Sequence, residues 1–166
     1  MMSLRKILVP VDFSDGSRAA LELAGFLANQ LDGTVEVIHV FEPATYFPAV
    51  PGPGEAALGQ YASIALETST LELDRFVEPI ASAHPGRFTT KHIEIGFPMQ
   101  QIVDRAKAGK FDLIVMGTHG RRGIARLLLG SVASEVIRRA SCPVLTVRAS
   151  EQTDEAKVGQ QDEQRK

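Results

Sequence analysis

Four small residues, Gly117, Gly120, Gly130 and Ser131, stand at the spacing G-x2-G-x9-G-S. Residues of this type in this pattern suit the holding of a phosphate. Glycine has no Cβ to keep a backbone N–H away from an anion. The first turn of a helix offers N–H groups without intrahelical acceptors and the positive end of the helix dipole. The pattern lies in residues 116–131 (MGTHGRRGIARLLLGS), between an apolar run at 111–116 and a helix-like segment at 131–140. Strand, Gly-rich loop and helix in that order make a common phosphate cradle. A second candidate is Asp12, an acidic group directly after the apolar run 4–11. Arg121, Arg122 and Arg126 lie inside the loop and read first as a solvated face, although guanidinium groups there could also meet phosphate oxygens.

Several other chemistries are excluded. The chain contains no Gly-Lys-Ser or Gly-Lys-Thr, and no G-x-G-x-x-G; Gly52 and Gly54 sit in a Pro-rich segment, not at a strand end. One cysteine and four scattered histidines give no zinc spacing. Cys142 has no partner for a disulfide and reads as a small core residue, His39 as structural, and His84 and His92 as surface residues. A net charge of -2 argues against generic binding to nucleic acid or to an anionic membrane. The apolar run near the N-terminus is too short for a signal peptide, and no stretch approaches the roughly 18–20 apolar residues of a membrane span. The expected location is the cytoplasm, with no direct membrane contact. No Walker-type lysine and no carboxylate pair stands near the loop, so the pattern predicts occupancy more than phosphoryl transfer.

The elements that must position these residues follow from periodicity. The chain has 166 residues, enough for one domain with a sizeable core. Residues 4–11 predict a buried strand, and Ser14 a helix cap. Ala20, Leu23, Ala24, Leu27 and Leu31 mark the apolar stripe of the first helix, which Asp32-Gly33 ends. Residues 34–41 (TVEVIHVF) predict the second strand. Five prolines and glycines between 48 and 54 make a loop long for a compact domain and so functional or mobile; Tyr46 and Phe47 read first as ordinary loop residues, although they could also flap over a bound ligand. A long helical pattern over 55–84 repeats Leu66, Leu73 and Ile80, with Pro79 expected to kink or end it. Residues 88–95 predict a strand near a sheet edge, and Pro98 opens a helix that ends at Gly109. Strand 111–116, the Gly-rich loop, helix 131–140 and strand 143–147 complete the order. Residues 1–149 form the expected domain, and 150–166 a disordered polar tail.

Strands and helices thus alternate, which predicts an α/β fold: a five-stranded parallel sheet with helices on both faces, Rossmann-like in class. In spatial order 3-2-1-4-5 the crevice at the switch point lies between strands one and four. Asp12 and Gly117 would then end the two strands that flank it.

The glycine pattern, taken with PVDFSDGSRAAL (10–21) and GSVASEVIRRASCPVLTVR (130–148), resembles the ATP-binding branch of the universal stress protein family. The resemblance implies that Asp12 contacts the ribose and that Pro10, Val11 and Val40 wall the adenine. Met116 and Gly117 would close that wall, and His119 and Gly120 would approach the phosphates. Gly130, Ser131, Val132 and Ala133 would cradle the phosphate chain through amides and a hydroxyl. Ala133 stands where some members carry a second hydroxyl. The implied ligand is ATP, or ADP or AMP, with or without magnesium. The family further implies a homodimer through the last strand, bounded by Cys142 and Arg148, a stress-response role and a regulatory protein partner. A slow ATPase on the same site, or a scaffold without ligand, stands as the alternative.

Overall fold

The computed structural model describes residues 4–42, 55–118 and 129–149. The 43–54 loop, the 119–128 part of the Gly-rich loop and the polar tail lie outside them, and so do His119, Gly120 and the three loop arginines. In β1 (Lys6–Val11) every residue after Lys6 is buried. Burial on both faces is what a continuous Val/Ile/Leu run dictates, because helices must then cover both sides of the sheet. β2 (Thr34–Phe41) and β4 (Leu113–Gly117) are buried almost as fully. β3 (Phe88–Ile95) and β5 (Val144–Val147) are half-exposed. The spatial order is β3-β2-β1-β4-β5, with every neighbouring pair parallel, so the two half-exposed strands form the edges.

Side-chain alternation divides the core in two. Ile7, Val9, Val11, Val35, Val37 and Val115 face α1 (Asp15–Leu31) and α2 (Glu55–Ala83). Leu8, Ile38, Ile114 and Met116 face α3 (Pro98–Ala108) and α4 (Ser131–Arg139).

The helix ends obey local chemistry. Ser14 Oγ accepts a hydrogen bond from Ser17 N at 3.2 Å and caps α1, as its sequence position predicts. Pro98 occupies the first turn of α3, where its missing N–H costs no helical bond. Pro79 does not end α2; the helix continues to Ala83. Pro79 and Arg75 are both exposed, so the carbonyl that loses its helical donor can be solvated.

Three side-chain expectations are corrected. On α1 the expected Ala20 and Ala24 are buried, and Leu23 and Leu27 are half-buried against the same core, but Leu21 and Ala28 join the buried stripe and Leu31 is exposed. Ala20, Ala24 and Ala28 let the helix axis approach the sheet, and Leu23 and Leu27 fall at the margin of the contact. His84 is half-buried under Gly25 and accepts a hydrogen bond from Asn29 Nδ2. His92 is likewise half-buried: its Nε2 accepts from Arg105 Nη2 at 2.7 Å, while Arg105 Nε donates to the buried Glu36 at 2.6 Å. The Glu36 hydrogen bond raises the Arg105 guanidinium above its ordinary pKa. A carboxylate inside an apolar strand is thereby paired from α3, and the same guanidinium ties β3 to it through His92.

Candidate functional site

The site begins where β1 and β4 stop pairing. Their ladder is registered at Ile7↔Leu113 and Leu8↔Ile114, and ends there. β1 continues along β2 as far as Val11↔His39, and β4 along β5 as far as Gly117↔Val147. Pro10, which has no amide hydrogen, lies just beyond the last β1–β4 pair. The strands therefore part at their carboxyl ends, at the point where the strand order reverses.

On the β1 side, Pro10 and Val11 are buried and Asp12 is half-buried. Asp12 Oδ1 accepts from Ser14 N at 3.2 Å and from Ser14 Oγ at 2.6 Å. The same Ser14 hydroxyl thus donates to Asp12 and accepts from the first turn of α1. Val40, at the end of β2, is half-buried and leans on the α3–α4 face, as does Met116.

On the β4 side, Gly117 is the last strand residue and packs against the first turn of α1. A Cβ there would lie 2.8 Å from the Gly16 carbonyl carbon and 3.1 Å from Ser17 N. Its small size serves a backbone contact between β4 and α1, which its place in a glycine pattern does not reveal. The next residue, Thr118, is buried; its N–H donates to Val147 O at 2.9 Å, and its carbonyl accepts from Gly130 N at 2.8 Å. The two flanks of the 119–128 segment are thus joined directly.

Gly130 is the N-cap of α4, and among the described residues no side chain caps this helix. Because the Gly130 amide is bound to Thr118, the amides at the helix start that lack an intrahelical acceptor are those of Ser131, Val132 and Ala133. Ser131 is exposed, Val132 half-buried and Ala133 buried on the α3–α4 face. The Ala133 methyl thus packs into the core, leaving its amide as the group suited to an anion.

The described residues accordingly set an acidic group and a hydroxyl on β1 and α1 across from an uncapped helix start on β4 and α4. Such an arrangement suits a ligand with hydroxyls at one end and an anionic group at the other. Among the described residues no group of three or more His, Cys, Asp or Glu side chains is placed to hold a metal ion. Also among them, no helix is long and apolar enough to cross a membrane. Three features of the site escape a sequence reading: the Gly16–Gly117 contact, the double role of Thr118, and the backbone of Phe13 described below. Gly16 in the first turn of a helix, where glycine is a poor helix former, is the one local signal of close approach.

Comparison with known proteins gives a consistent result. The family model described as universal stress protein family matches residues 3–148. Universal stress protein MJ0531 of Methanocaldococcus jannaschii is 38% identical over 144 residues, covering 87% of this chain and 82% of that protein. A universal stress protein solved in complex with cAMP superposes with TM-score 0.61 at 25% identity, covering 89% of this chain and 99% of that one. The universal stress protein of Archaeoglobus fulgidus, solved in complex with dAMP, gives TM-score 0.57 at 25% identity over 89% and 99% of the two chains.

Proposed function

Because this chain belongs to the universal stress protein family, we propose that its β1–β4 crevice binds an adenine nucleotide and that the protein regulates a stress response through its nucleotide occupancy. The observation that carries the reading is the parting of β1 and β4 at the switch point, with Asp12 on one side and the uncapped start of α4 on the other. The solved relatives that hold cAMP and dAMP support it, since those ligands share adenine, a furanose and one phosphate.

In this reading Pro10, Val11, Val40 and Met116 contact the base, and Asp12 accepts from a ribose hydroxyl. Gly117 reaches the sugar while packing against α1. The amides of Ser131, Val132 and Ala133, with the Ser131 hydroxyl, bind phosphate oxygens, and Gly130 holds that helix start in place. His119 and Gly120 approach the same phosphates. ATP is the proposed ligand, with ADP or AMP as its shorter forms and magnesium carried on the phosphates where present. The β5 edge, where Leu145 is exposed, carries a homodimer whose assembly presents the protein to a regulatory partner.

Isothermal titration of the full chain with ATP, ADP, AMP and cAMP tests the reading. Saturable heat with at least one of them is the expected result. No heat with any of them, together with no nucleotide released on denaturing the purified protein, would overturn it.

A further inference from the structure

Among the described residues three non-glycine positions adopt a left-handed backbone: Asp32, Lys110 and Phe13. Asp32 and Lys110 follow α1 and α3, where the conformation is a common way to leave a helix. Phe13 follows a strand, with φ 65°, and a bulky aromatic is an outlier there. Such a conformation persists only where the surroundings impose it.

The surroundings are visible. The Phe13 ring lies 4.5 Å from the His39 ring and 5.5 Å from that of Phe76, which it meets edge to face. Phe76 is itself covered by the Arg18 guanidinium at 4.5 Å. His39 Nδ1 is 2.9 Å from the Val11 carbonyl, and a carbonyl only accepts, so Nδ1 carries the hydrogen. β2 therefore holds residue 11 by its carbonyl and residue 13 by its ring. Asp12 lies between the two tethers, and its carboxylate turns back onto Ser14 N and Oγ.

We propose that Phe13 is a positioning residue: its left-handed backbone, clamped by His39 and Phe76, aims the Asp12 carboxylate into the crevice and holds the Ser14 cap of α1. The proposal rests on the reading of the crevice as a nucleotide site. It assigns the effect to the backbone conformation at residue 13, separately from the burial of the ring.

Three substitutions separate those two effects. Phe13→Asn, Phe13→Gly and Phe13→Val all remove the ring. Asn and Gly accept a left-handed backbone, whereas β-branched Val rejects it. Affinity for AMP is measured by titration. Amide hydrogen exchange at Ser14 and Ser17 is measured in nucleotide-free protein, with the α3 amides as reference.

The Asn and Gly variants are expected to bind AMP within about threefold of each other, and the Val variant about tenfold more weakly than Asn. Ser14 and Ser17 amides should exchange about tenfold faster in the Val variant than in the Asn variant, with α3 unchanged. Thermal melts should fall for all three, because all lose the ring. If the Val variant does not fold, Phe13→Ala takes its place with a smaller split in the same direction. Equal AMP affinity and equal exchange in the Asn and Val variants would overturn the proposal. A split in affinity without one at Ser14 and Ser17 would also overturn it, since the route runs through the Asp12–Ser14 turn. If the wild type binds no adenine nucleotide, the occupancy reading fails, and the amide pattern alone still decides the role of Phe13.

Discussion

Gly117→Ala separates two roles for one glycine. The added Cβ would lie 2.8 Å from the Gly16 carbonyl carbon, 3.1 Å from Ser17 N and 3.2 Å from Gly16 Cα. Non-bonded carbons rest at about 3.5–4.0 Å, so β4 and the first turn of α1 must separate by about 0.7 Å. All three atoms are backbone in a buried turn, so no side chain can rotate away. Overpacking of this kind costs about 1–3 kcal/mol. The φ of Gly117 is not left-handed, so alanine fits the local conformation and restricts the unfolded chain, which offsets about 0.4–1 kcal/mol. The net expectation is a loss of about 1–2 kcal/mol, a fall in Tm of about 2–8 °C for a chain of this size. Urea denaturation followed by far-UV circular dichroism, with calorimetry, measures it in nucleotide-free protein. If Gly117 served only to let a phosphate approach, the same substitution would raise stability in the absence of nucleotide by about 0.4–1 kcal/mol. An unchanged or raised Tm would refute the packing argument.

Three further outcomes follow from other contacts. Arg105→Met leaves the buried Glu36 carboxylate without its guanidinium and should cost about 3 kcal/mol, whereas the double replacement Glu36→Leu with Arg105→Leu should be nearly neutral; equal losses in the two urea denaturations would contradict this. The Cys142 thiol is held above its ordinary pKa, first by burial and then by the charge of Asp112. Its native form thus retains the proton longer than the unfolded form, so its contribution to stability is whole below the unfolded thiol pKa and is lost as pH rises through the folded one. The pH midpoint of iodoacetamide alkylation in native protein should lie above that of free cysteine, and a midpoint at or below it would refute the burial argument. Leu145→Asp should place like charges across a two-fold at the β5 edge and shift sedimentation toward monomer with the circular dichroism unchanged; a wild-type sedimentation profile would exclude β5 as the dimer surface.

The order of elements was legible because each carries its own local signal. The β-branched run 34–41, Ser14 before α1, and Pro98 before α3 all follow from steric and capping rules that act within a few residues. The crevice was legible one level up, since alternation dictates a parallel sheet and a switch point. What the pattern concealed depends on approach between distant segments. In the α1 stripe Ala20 and Ala24 were legible, whereas the burial of Leu21 and Ala28 and the exposure of Leu31 depend on how the helix lies on the sheet. His92 gains its place from Glu36 and Arg105, one on β2 and the other on α3. Gly117 reads as one more glycine in a phosphate pattern until Gly16 is seen against it. Phe13 has no distinguishing local sequence, because its backbone is imposed by His39 and Phe76.

The junction between β1 and β4 also governs when the site can exist. Asp112 accepts from the backbone amides of Arg5 and Lys6, partners 107 and 106 residues away in the chain. Closing a loop of that length carries an entropic cost before any contact is gained, and non-local pairings of this kind slow folding. The first three strands and their two helices are contiguous in sequence and can associate without it. The crevice has no second wall until β4 docks, so a partly synthesised or partly refolded chain holds Asp12 with nothing opposite it. The two walls of the crevice therefore come together only through contacts more than a hundred residues apart in the chain.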